Sequence, residues 1–465
     1  MANKNKNNCI SKNPLEKKIT LPEHLEHLNI MAAGIDIGSN SHFVAVPEGC
    51  DVVNVRKFSS FTPDLHDLAD WLEKCKVSTV VMESTGVYWI PLFELLESRG
   101  FEVKLVDARH VKNVSGRKTD VLDCQWLQQL HTYGLLQGAF RPIELVCKLR
   151  AYMRQRSMLI QDASSHILHM QKALNQMNLQ LHNAISDITG DTGMKIIRAI
   201  LAGERDPKIL AQYRNPCCRN SVEIIEKSLC GNYKEEHVFY LKQAMELYDF
   251  YCNKISDCDA EIEKTLLTFE PKQTVEYNEK KHQSKKKSNK HAPAFDVQAY
   301  LNRALGVDLT NIPGISTITA LTILSEIGTD LSRWKNSKHF ASWLGLCPGN
   351  KISGGKILSS TSKSTKNRAA IALKIAANSL YRNSSWLGAF LRRLKSRIGP
   401  MKAITATAHK LATIIYNMIK NGVEYDDIGA DYYEKQYRDR AVKNLKTRAK
   451  ALGLEVVGLA TIEEK

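Results

Sequence analysis

The first third of the chain carries a succession of short strands and helices that few folds accommodate. Three β-rich runs come first, AAGIDIG, HFVAVP and DVVNVRKF, and turn residues such as Gly, Asn, Ser and Asp separate them. A helix is predicted over residues 63–75, with Thr62 as N-cap and Pro63 at its first position. A buried strand VSTVVMES, a helix over 91–99, a strand FEVKLVD and a helix over 120–132 complete the series.

The order is therefore three strands, helix, strand, helix, strand, helix. Hairpins join the first three strands, whereas a doubly wound nucleotide-binding fold alternates strand and helix from its start. The sequence thus predicts a ribonuclease H-like α/β layer fold with a mixed sheet over residues 31–143. Residues 1–30 before it are predicted to be a flexible leader.

The rest of the chain is predicted to be mostly helical. Residues 144–271 show apolar side chains at helical spacings, which predicts a long antiparallel hairpin or coiled-coil arm with a plausible self-association surface. Residues 272–298 contain a low-complexity, lysine-rich linker. A second compact domain is expected over 299–397, and a basic helical extension over 398–465.

Net charge restricts the class of partner. The chain of 465 residues has a formal net charge of +16, which favours a polyanionic partner, either nucleic acid or an anionic membrane. No stretch approaches the roughly 18–20 apolar residues that a spanning helix needs, and the polar N-terminus lacks the apolar centre of a signal peptide. We therefore expect an intracellular, cytoplasmic protein that binds nucleic acid and no membrane.

Four carboxylates occupy special places in the predicted fold. Asp36 closes the first strand in GIDIGS, and Glu83 ends the fourth strand in VVMESTG. These strands are neighbours in a ribonuclease H-like sheet, while Asp120 and Asp123 are three residues apart on one helix face. Hard oxygen ligands suit Mg²⁺, and a pair of such ions stabilises the attacking and leaving oxygens of a phosphoryl displacement. Taken singly, Asp36 could be a turn residue and Asp120 a helix cap.

A basic segment lies next to these acids. It is expected either to bind the phosphate backbone or to form a solvated charged loop. Its members are Lys104, Arg109, His110, Lys112, Arg117 and Lys118.

Several motifs stand out along the chain. In the first domain they are GIDIGS, MESTGVYW and RKTDVLD, and farther along IPGISTITAL, FASWLGLCPGNKISGGK, NRAAIAL and AITATAHKLA. They resemble the motifs of the DEDD-type insertion-sequence transposases, a family of bridge-RNA-guided recombinases with an N-terminal domain like that of the junction resolvase RuvC. The resemblance spans about residues 32–450 and implies a RuvC-like domain and a mostly helical C-terminal transposase domain.

The resemblance also implies roles for particular residues. Asp36, Glu83, Asp120 and Asp123 would form the metal-binding tetrad, and Ser353 in ISGGK would be the nucleophile that forms a phosphoserine bond with DNA. A serine hydroxyl needs activation by a metal or base, and the two glycines after Ser353 permit close approach to a phosphate. Ser359, Ser360, Ser362 and Ser364 are alternatives by sequence alone.

Further nucleic-acid contacts are predicted on both domains. The turn at Gly314 resembles a helix-hairpin-helix, whose amides grip a phosphate, although a plain tight turn fits equally well. The segment STSKSTKNR departs from the family pattern, which leaves the roles of Lys363 and Arg368 open. The predicted contacts are Arg109, Lys112, Arg117, Lys118, Gly314, Lys356, Lys363 and Arg368.

The resulting hypothesis is a prokaryotic, nucleoid-associated transposase that cuts and rejoins DNA with Mg²⁺ and a serine nucleophile. Its implied partners are donor and target DNA, a guide RNA and further copies of itself, as a dimer or tetramer. A metal-only endonuclease acting on Holliday-type junctions, without a covalent step, is one alternative. A basic architectural DNA-binding protein that has lost catalysis is another. An actin-like ATP-binding enzyme would need later phosphate loops that the chain lacks.

Overall fold

A computed structural model describes residues 28–107, 119–272, 292–362 and 365–456. The chain divides into two compact units, Met1–Arg141 and Pro142–Lys465. The predicted lysine-rich linker and much of the basic segment after residue 107 fall outside the described residues.

The first unit is built on a mixed five-stranded sheet. Strands β1 and β2 are antiparallel, as are β2 and β3, while β4 and β5 run parallel to β1. The order across the sheet is β3-β2-β1-β4-β5, which is the arrangement that a ribonuclease H-like domain requires. The strands are β1 (Ala32–Ile37), β2 (Ser41–Ala45), β3 (Val55–Ser59), β4 (Thr79–Glu83) and β5 (Glu102–Val106).

Among the described residues of this unit, three helices cover the sheet on its two faces. Helices α1 (Thr62–Lys74) and α2 (Trp89–Ser98) pack on one face, where Ile35 and Met82 are fully buried. Helix α3 (Asp120–Thr132) packs on the other face, against β1 and β2. Because side chains alternate along a strand, both faces of β1 are buried and the strand reads as nearly continuous apolar sequence.

Helix α3 lies unusually close to β1 at Gly34. A Cβ atom at Gly34 would stand 2.2 Å from the backbone nitrogen of Gln128 and 2.4 Å from the carbonyl oxygen of Cys124. Only a residue without a side chain leaves room for the helix backbone at that separation. Gly34 therefore sets the height of α3 above the sheet.

Two helix starts differ from the sequence prediction. Thr62 was predicted to be an N-cap, and this was wrong by one residue: α1 begins at Thr62, and Phe61 precedes it without a side-chain cap. Pro63 occupies the first turn, where its missing N–H costs nothing. Helix α2 begins at Trp89, two residues earlier than predicted, whereas α3 spans the predicted 120–132.

Two long helices open the second unit. Helices α4 (Glu144–Gln176) and α9 (Glu235–Leu267) each have 33 residues and pack antiparallel. Arg156 on α4 forms a buried two-pronged ion pair with Asp259 on α9. A buried charge is costly unless it is paired, so this contact favours one register between the helices.

Short helices fill the far end of this helical pair. They share an apolar core with it that includes Met170, Ile196, Ile225 and Leu241. These helices are α5 (Leu181–Ala184), α6 (Asp191–Leu201), α7 (Pro207–Ala211) and α8 (Val222–Ser228).

The remainder of the second unit is a helical bundle with one β-hairpin. At its centre Phe340 packs beside Trp334, and the Tyr416 hydroxyl donates to the Trp334 carbonyl oxygen at 2.6 Å. The helices are α10 (Val297–Leu305), α11 (Thr317–Ile327), α12 (Ser337–Trp343), α13 (Arg368–Ser379), α14 (Trp386–Ile398), α15 (Pro400–Asn421) and α16 (Ala430–Ala451). The hairpin strands are β6 (Lys351–Ser353) and β7 (Lys356–Ser359).

The buried acid Glu326 links this bundle to α4. Its carboxylate pairs with Arg150 at 3.2 Å and with Arg154 at 3.0 Å. Arg150 also donates to the Glu326 carbonyl oxygen at 2.7 Å, at the end of α11. Among the described residues, no helix has both the length and the apolar character that crossing a bilayer demands.

Replacing Gly34 with alanine should destabilise the first unit by about 3 kcal/mol, because the new methyl group collides with the α3 backbone. Chemical denaturation of the two variants Gly34→Ala and Gly138→Ala measures the effect. Gly138 is the matched control, since the nearest atoms to its added Cβ are 3.8 Å away. Equal, small decreases in both variants would contradict the close approach.

Acid should destabilise the first unit partly through His131, which is 1% exposed and has Nε2 2.9 Å from the Thr79 hydroxyl. Burial, aided by Lys104, lowers the pKa of His131 to about 4. Between pH 6.5 and 4 the unfolded histidine is protonated while the folded one stays neutral, so stability falls as pH falls.

The variant His131→Gln should remove up to about 2 kcal/mol of this acid-dependent destabilisation, although its stability at neutral pH is also changed. The measurement is the free energy of unfolding at pH 7, 6, 5 and 4. His66→Gln, at an exposed histidine of the same unit, should keep the wild-type pH dependence. An unchanged pH profile in His131→Gln would refute the assignment.

Candidate acidic site and serine hairpin

Two of the predicted acids lie on adjacent parallel strands. The β1–β4 register pairs Ile35 with Met82, so Asp36 and Glu83 stand one step beyond that pair and at the same level. Their side chains are on the α3 face, because Gly34 and Val81, two residues earlier, contact that helix layer. The carboxyl ends of both strands thus present an acid to the same edge of the sheet.

The other two acids occupy the first turn of α3. Thr119 caps the helix, and its side chain accepts a hydrogen bond from the Leu122 amide. Asp120 and Asp123 then follow at the positive end of the helix dipole, where carboxylates are stabilised. Thr119 takes the capping role that was left open for Asp120, so Asp120 is available for other contacts.

Electrostatics show that the four acids share one neighbourhood. The pKa of Asp36 is raised to about 6, first by burial and then by the negative charges of Asp120, Asp123 and Glu83. A backbone hydrogen bond from Ile37 acts in the opposite direction and does not compensate. The charges of Asp120, Asp123 and Glu83 thus act on Asp36, and the metal-binding role of the four acids stays a prediction.

The acids do not form a closed ligand cage. Within residues 28–107, 119–272, 292–362 and 365–456, no group of three or more His, Cys, Asp or Glu side chains is close enough to hold a metal ion. The chemistry of the site nevertheless suits a divalent cation. Its donors are all carboxylate oxygens, and their mutual repulsion at Asp36 is what a bound cation would relieve.

Neighbouring residues that the sequence analysis did not select support this arrangement. Thr85 donates from its hydroxyl to a Glu83 carboxylate oxygen at 3.4 Å, and Ser84 anchors the same loop by donating to the Val106 carbonyl oxygen. Gly34 sets the helix height, and its signal in the sequence was a lone glycine between apolar strand residues. Nothing in the sequence distinguished Ser84 and Thr85 from other short hydroxyl residues.

The basic segment of this unit has one described member, Lys104. Arg109, His110, Lys112, Arg117 and Lys118 lie outside the described residues, as does Lys363 in the second unit. Lys104 is described, and it forms an ion pair with Glu102 at 3.0 Å. The phosphate-binding role of the basic segment stays a prediction.

Ser353 lies at the tip of the hairpin in the second unit. It is directly opposite Lys356, and a two-residue turn, Gly354–Gly355, joins them. Both glycines have positive φ, +53° and +75°, and both have open space where a Cβ would stand. Glycine is therefore favoured at both positions by the positive φ of this tight hairpin turn, and not by crowding around the Cβ position.

Much of the hairpin is exposed. Ser353 and Lys356 are both exposed, and they are on the same face of the two-stranded ribbon because they form a cross-strand pair. A lysine beside a serine places a positive charge where a phosphate or an ionised hydroxyl would be stabilised. The hairpin also exposes two large apolar side chains, Ile352 and Leu358.

Gly314 and Arg368 have different surroundings. Gly314 has φ +86°, and a Cβ there would stand 2.8 Å from the Ala376 carbonyl oxygen, so the turn packs on α13. Arg368 is exposed at the first position of α13, whose N-cap is Asn367. A cation at a helix N-terminus is unfavourable beside the dipole unless an anion is also present, which suits a phosphate contact at Arg368.

Two segments of the chain match known protein families. Residues 33–179 match a DEDD transposase model of IS110 elements, described as "Transposase". Residues 308–392 match the "Transposase IS116/IS110/IS902 family". The first segment contains all four acids, and the second contains Ser353, Gly314 and Arg368.

A curated relative agrees with these matches. The chain is 28% identical over 127 residues to "Putative transposase y4pF/y4sB" of Sinorhizobium fredii (strain NBRC 101917 / NGR234). The match covers 25% of this chain and 32% of the relative, so the chain spans about a third of that protein's length. The two matched segments are thus similar to transposases of the IS110 type, and the curated relative is a putative transposase.

Substituting Asp36 by asparagine should stabilise the metal-free protein by about 1–2 kcal/mol, since it removes a partly buried charge from the field of three others. The measurement is thermal melting in EDTA. Added Mg²⁺ should raise the melting temperature of the wild type more than that of Asp36→Asn. Asp67→Asn, at an exposed acid on α1, should change neither quantity. A lower melting temperature of Asp36→Asn in EDTA would argue against the acidic cluster.

Proposed function

We propose that this chain, which is similar to IS110-type transposases in both matched segments, cuts and rejoins DNA strands as an insertion-sequence recombinase. The observation that supports the proposal most directly is the environment of Asp36, where burial and then the negative charges of three further acids raise its pKa to about 6. Four acids held together against their repulsion suit a site that binds divalent metal and acts on phosphodiesters.

The acids would hold the metal in the proposed site. Asp36 and Glu83 are fixed by the strand register, and Asp120 and Asp123 by the first turn of α3. Bound there, a divalent cation, which we propose to be Mg²⁺, supplies positive charge to the oxygens of the scissile phosphate. Thr85 keeps one Glu83 oxygen oriented through its hydroxyl.

We assign the nucleophile to Ser353. Its Oγ loses its proton to solvent and attacks a DNA phosphorus, an Oγ–P bond forms, and the P–O bond to one sugar breaks. The sugar oxygen that leaves takes up a proton. In the second displacement a DNA hydroxyl loses its proton and attacks the phosphoserine, the Oγ–P bond breaks, and the released Ser353 oxygen takes up a proton. Lys356, opposite Ser353 on the hairpin, would stabilise the negative charge of the phosphate during both displacements.

A guide RNA and self-association complete the proposal. The guide RNA comes from the family resemblance, and the net charge of +16 is compatible with a polyanionic partner. Self-association is suggested by the predicted helical arm, which favours a dimer, and by recombination across two duplexes, which favours a tetramer. Sequencing the RNA that co-purifies with the full chain tests the first, and light scattering on the purified protein tests the second.

The variant Ser353→Ala should abolish covalent protein–DNA adducts, because no hydroxyl remains at the hairpin tip. The measurement is denaturing electrophoresis of labelled DNA after incubation with the full chain and Mg²⁺. Ser360→Ala is the matched control: it removes a hydroxyl that is also exposed and seven residues away, and adducts should persist.

The same assay separates two candidate reactions. Loss of adducts in Ser353→Ala with loss of strand cleavage supports the serine mechanism. Adducts that persist in Ser353→Ala overturn the assignment of the nucleophile. Cleavage that persists without adducts, and that Asp36→Asn abolishes, supports a metal-only endonuclease instead.

A further inference from the structure

The last described helix packs only lightly on the rest of the second unit. No residue of α16 (Ala430–Ala451) is buried, and it is attached to the bundle through its first two turns. There Arg393 of α14 forms an ion pair with Glu434, and its guanidinium lies 3.5 Å from the ring centre of Tyr437. Tyr433 packs near Trp386 at 5.9 Å between ring centres.

Beyond this attachment the helix is strongly basic. Seven cations lie between positions 435 and 450, against a single acid, Asp439. Within the described part of the chain, no ion pair joins any of the seven to a carboxylate. The cations are Lys435, Arg438, Arg440, Lys443, Lys446, Arg448 and Lys450.

These charges are distributed around the whole helix. At about 100° per residue, Arg440, Lys443, Lys446 and Lys450 follow one side, while Arg438 and Arg448 lie on the others. A helix that lies in a membrane surface instead keeps its charges on one side and a broad apolar face on the other. Charges on all sides of α16 therefore fit a nucleic acid, whose phosphates can lie on more than one side of the helix, better than they fit a membrane surface.

The dimensions of the helix suit one form of nucleic acid. A helix with its side chains is about 10–12 Å wide, which matches the major groove of B-form DNA, also about 12 Å wide. The major groove of an A-form RNA duplex is deep and too narrow for side chains to enter. From Lys435 to Lys450 the helix is about 22 Å long, at 1.5 Å per residue.

Like charges also work against the helix when it is alone. Lys446 and Lys450 are four residues apart and repel each other, and no residue of α16 is buried, so the helix lacks the packing from which most helical stability in proteins comes. A polyanion alongside would remove the repulsion. Binding and helix stability should therefore be coupled.

We infer that α16 is a DNA-binding element that inserts into the major groove of duplex DNA and contacts the phosphates on both sides. The inference builds on the proposed recombinase function, which makes duplex DNA the substrate. The helix lies outside both segments that match transposase families, 33–179 and 308–392. It would thus add affinity for DNA apart from the acids and Ser353.

The test is binding of the full chain to a short fluorescent duplex DNA across a range of salt concentrations. The variant Arg440→Gln/Lys443→Gln/Lys446→Gln/Lys450→Gln should bind on the order of tenfold or more weakly near physiological salt. The slope of log affinity against log salt should fall by about 0.9 for each phosphate that the variant no longer neutralises.

A second variant controls for net charge. Lys172→Gln/Lys208→Gln/Lys227→Gln/Lys242→Gln removes the same charge from exposed positions elsewhere in the second unit and should keep most of the affinity. Circular dichroism should show that DNA increases the helix content of the wild type, and that the increase is smaller in the α16 variant. Equal binding by the α16 variant and the wild type would overturn the inference.

Two further probes distinguish duplex DNA from other polyanions as the partner of α16. The α16 substitutions should weaken binding to an RNA duplex of the same sequence much less than binding to DNA, and an equal reduction would overturn the groove assignment. Binding to phosphatidylserine vesicles that depends on α16 and exceeds binding to DNA would overturn it in favour of a membrane. If the wild type binds no duplex DNA, the proposed function fails too, whereas unchanged binding by the variant refutes only the role of α16.

Discussion

The close packing of the α3 backbone on strand β1 at Gly34 determines the geometry of the acidic site. A residue with no side chain brings the helix down until a single added carbon would be 2.2 Å from its backbone. That height places the first turn of α3, with Asp120 and Asp123, beside the end of β1. The acids then approach one another because three rigid elements, β1, β4 and α3, carry them, and a flexible loop could not hold them against their repulsion.

The site accordingly works against the stability of the unit that contains it. Burial and three neighbouring charges favour the protonated form of Asp36, and the elements beneath it must supply the compensating energy. They do so with apolar residues on both faces of β1 and β4, several of them fully buried. In the second unit, Ser353 lies on an exposed hairpin, so its placement does not require the burial of a charge.

Much of this arrangement could be predicted from the sequence. The mixed sheet and the bounds of α3 followed from alternating apolar runs and turn residues, and adjacency of Asp36 and Glu83 followed from strand order. The close approach of α3 to β1 was harder to predict from the sequence, because the role of Gly34 becomes clear only when Gln128 and Cys124 are known to lie over it. The short helices over residues 181–228 were also missed as separate elements, because their apolar spacings resemble those of the long helices around them.

The two-residue turn after Ser353 has a consequence for how this segment tolerates change. In a two-stranded ribbon the side on which each residue lies depends on its pairing, so a change of turn length that moved Ser353 by one position relative to β7 would place its hydroxyl and the Lys356 amine on opposite sides. An added residue that is absorbed as a three-residue loop or a bulge would keep the two residues paired, and the ribbon already contains one such irregularity, between Lys351 and Ile352. The placement of the two side chains therefore depends on how the turn accommodates a change of length.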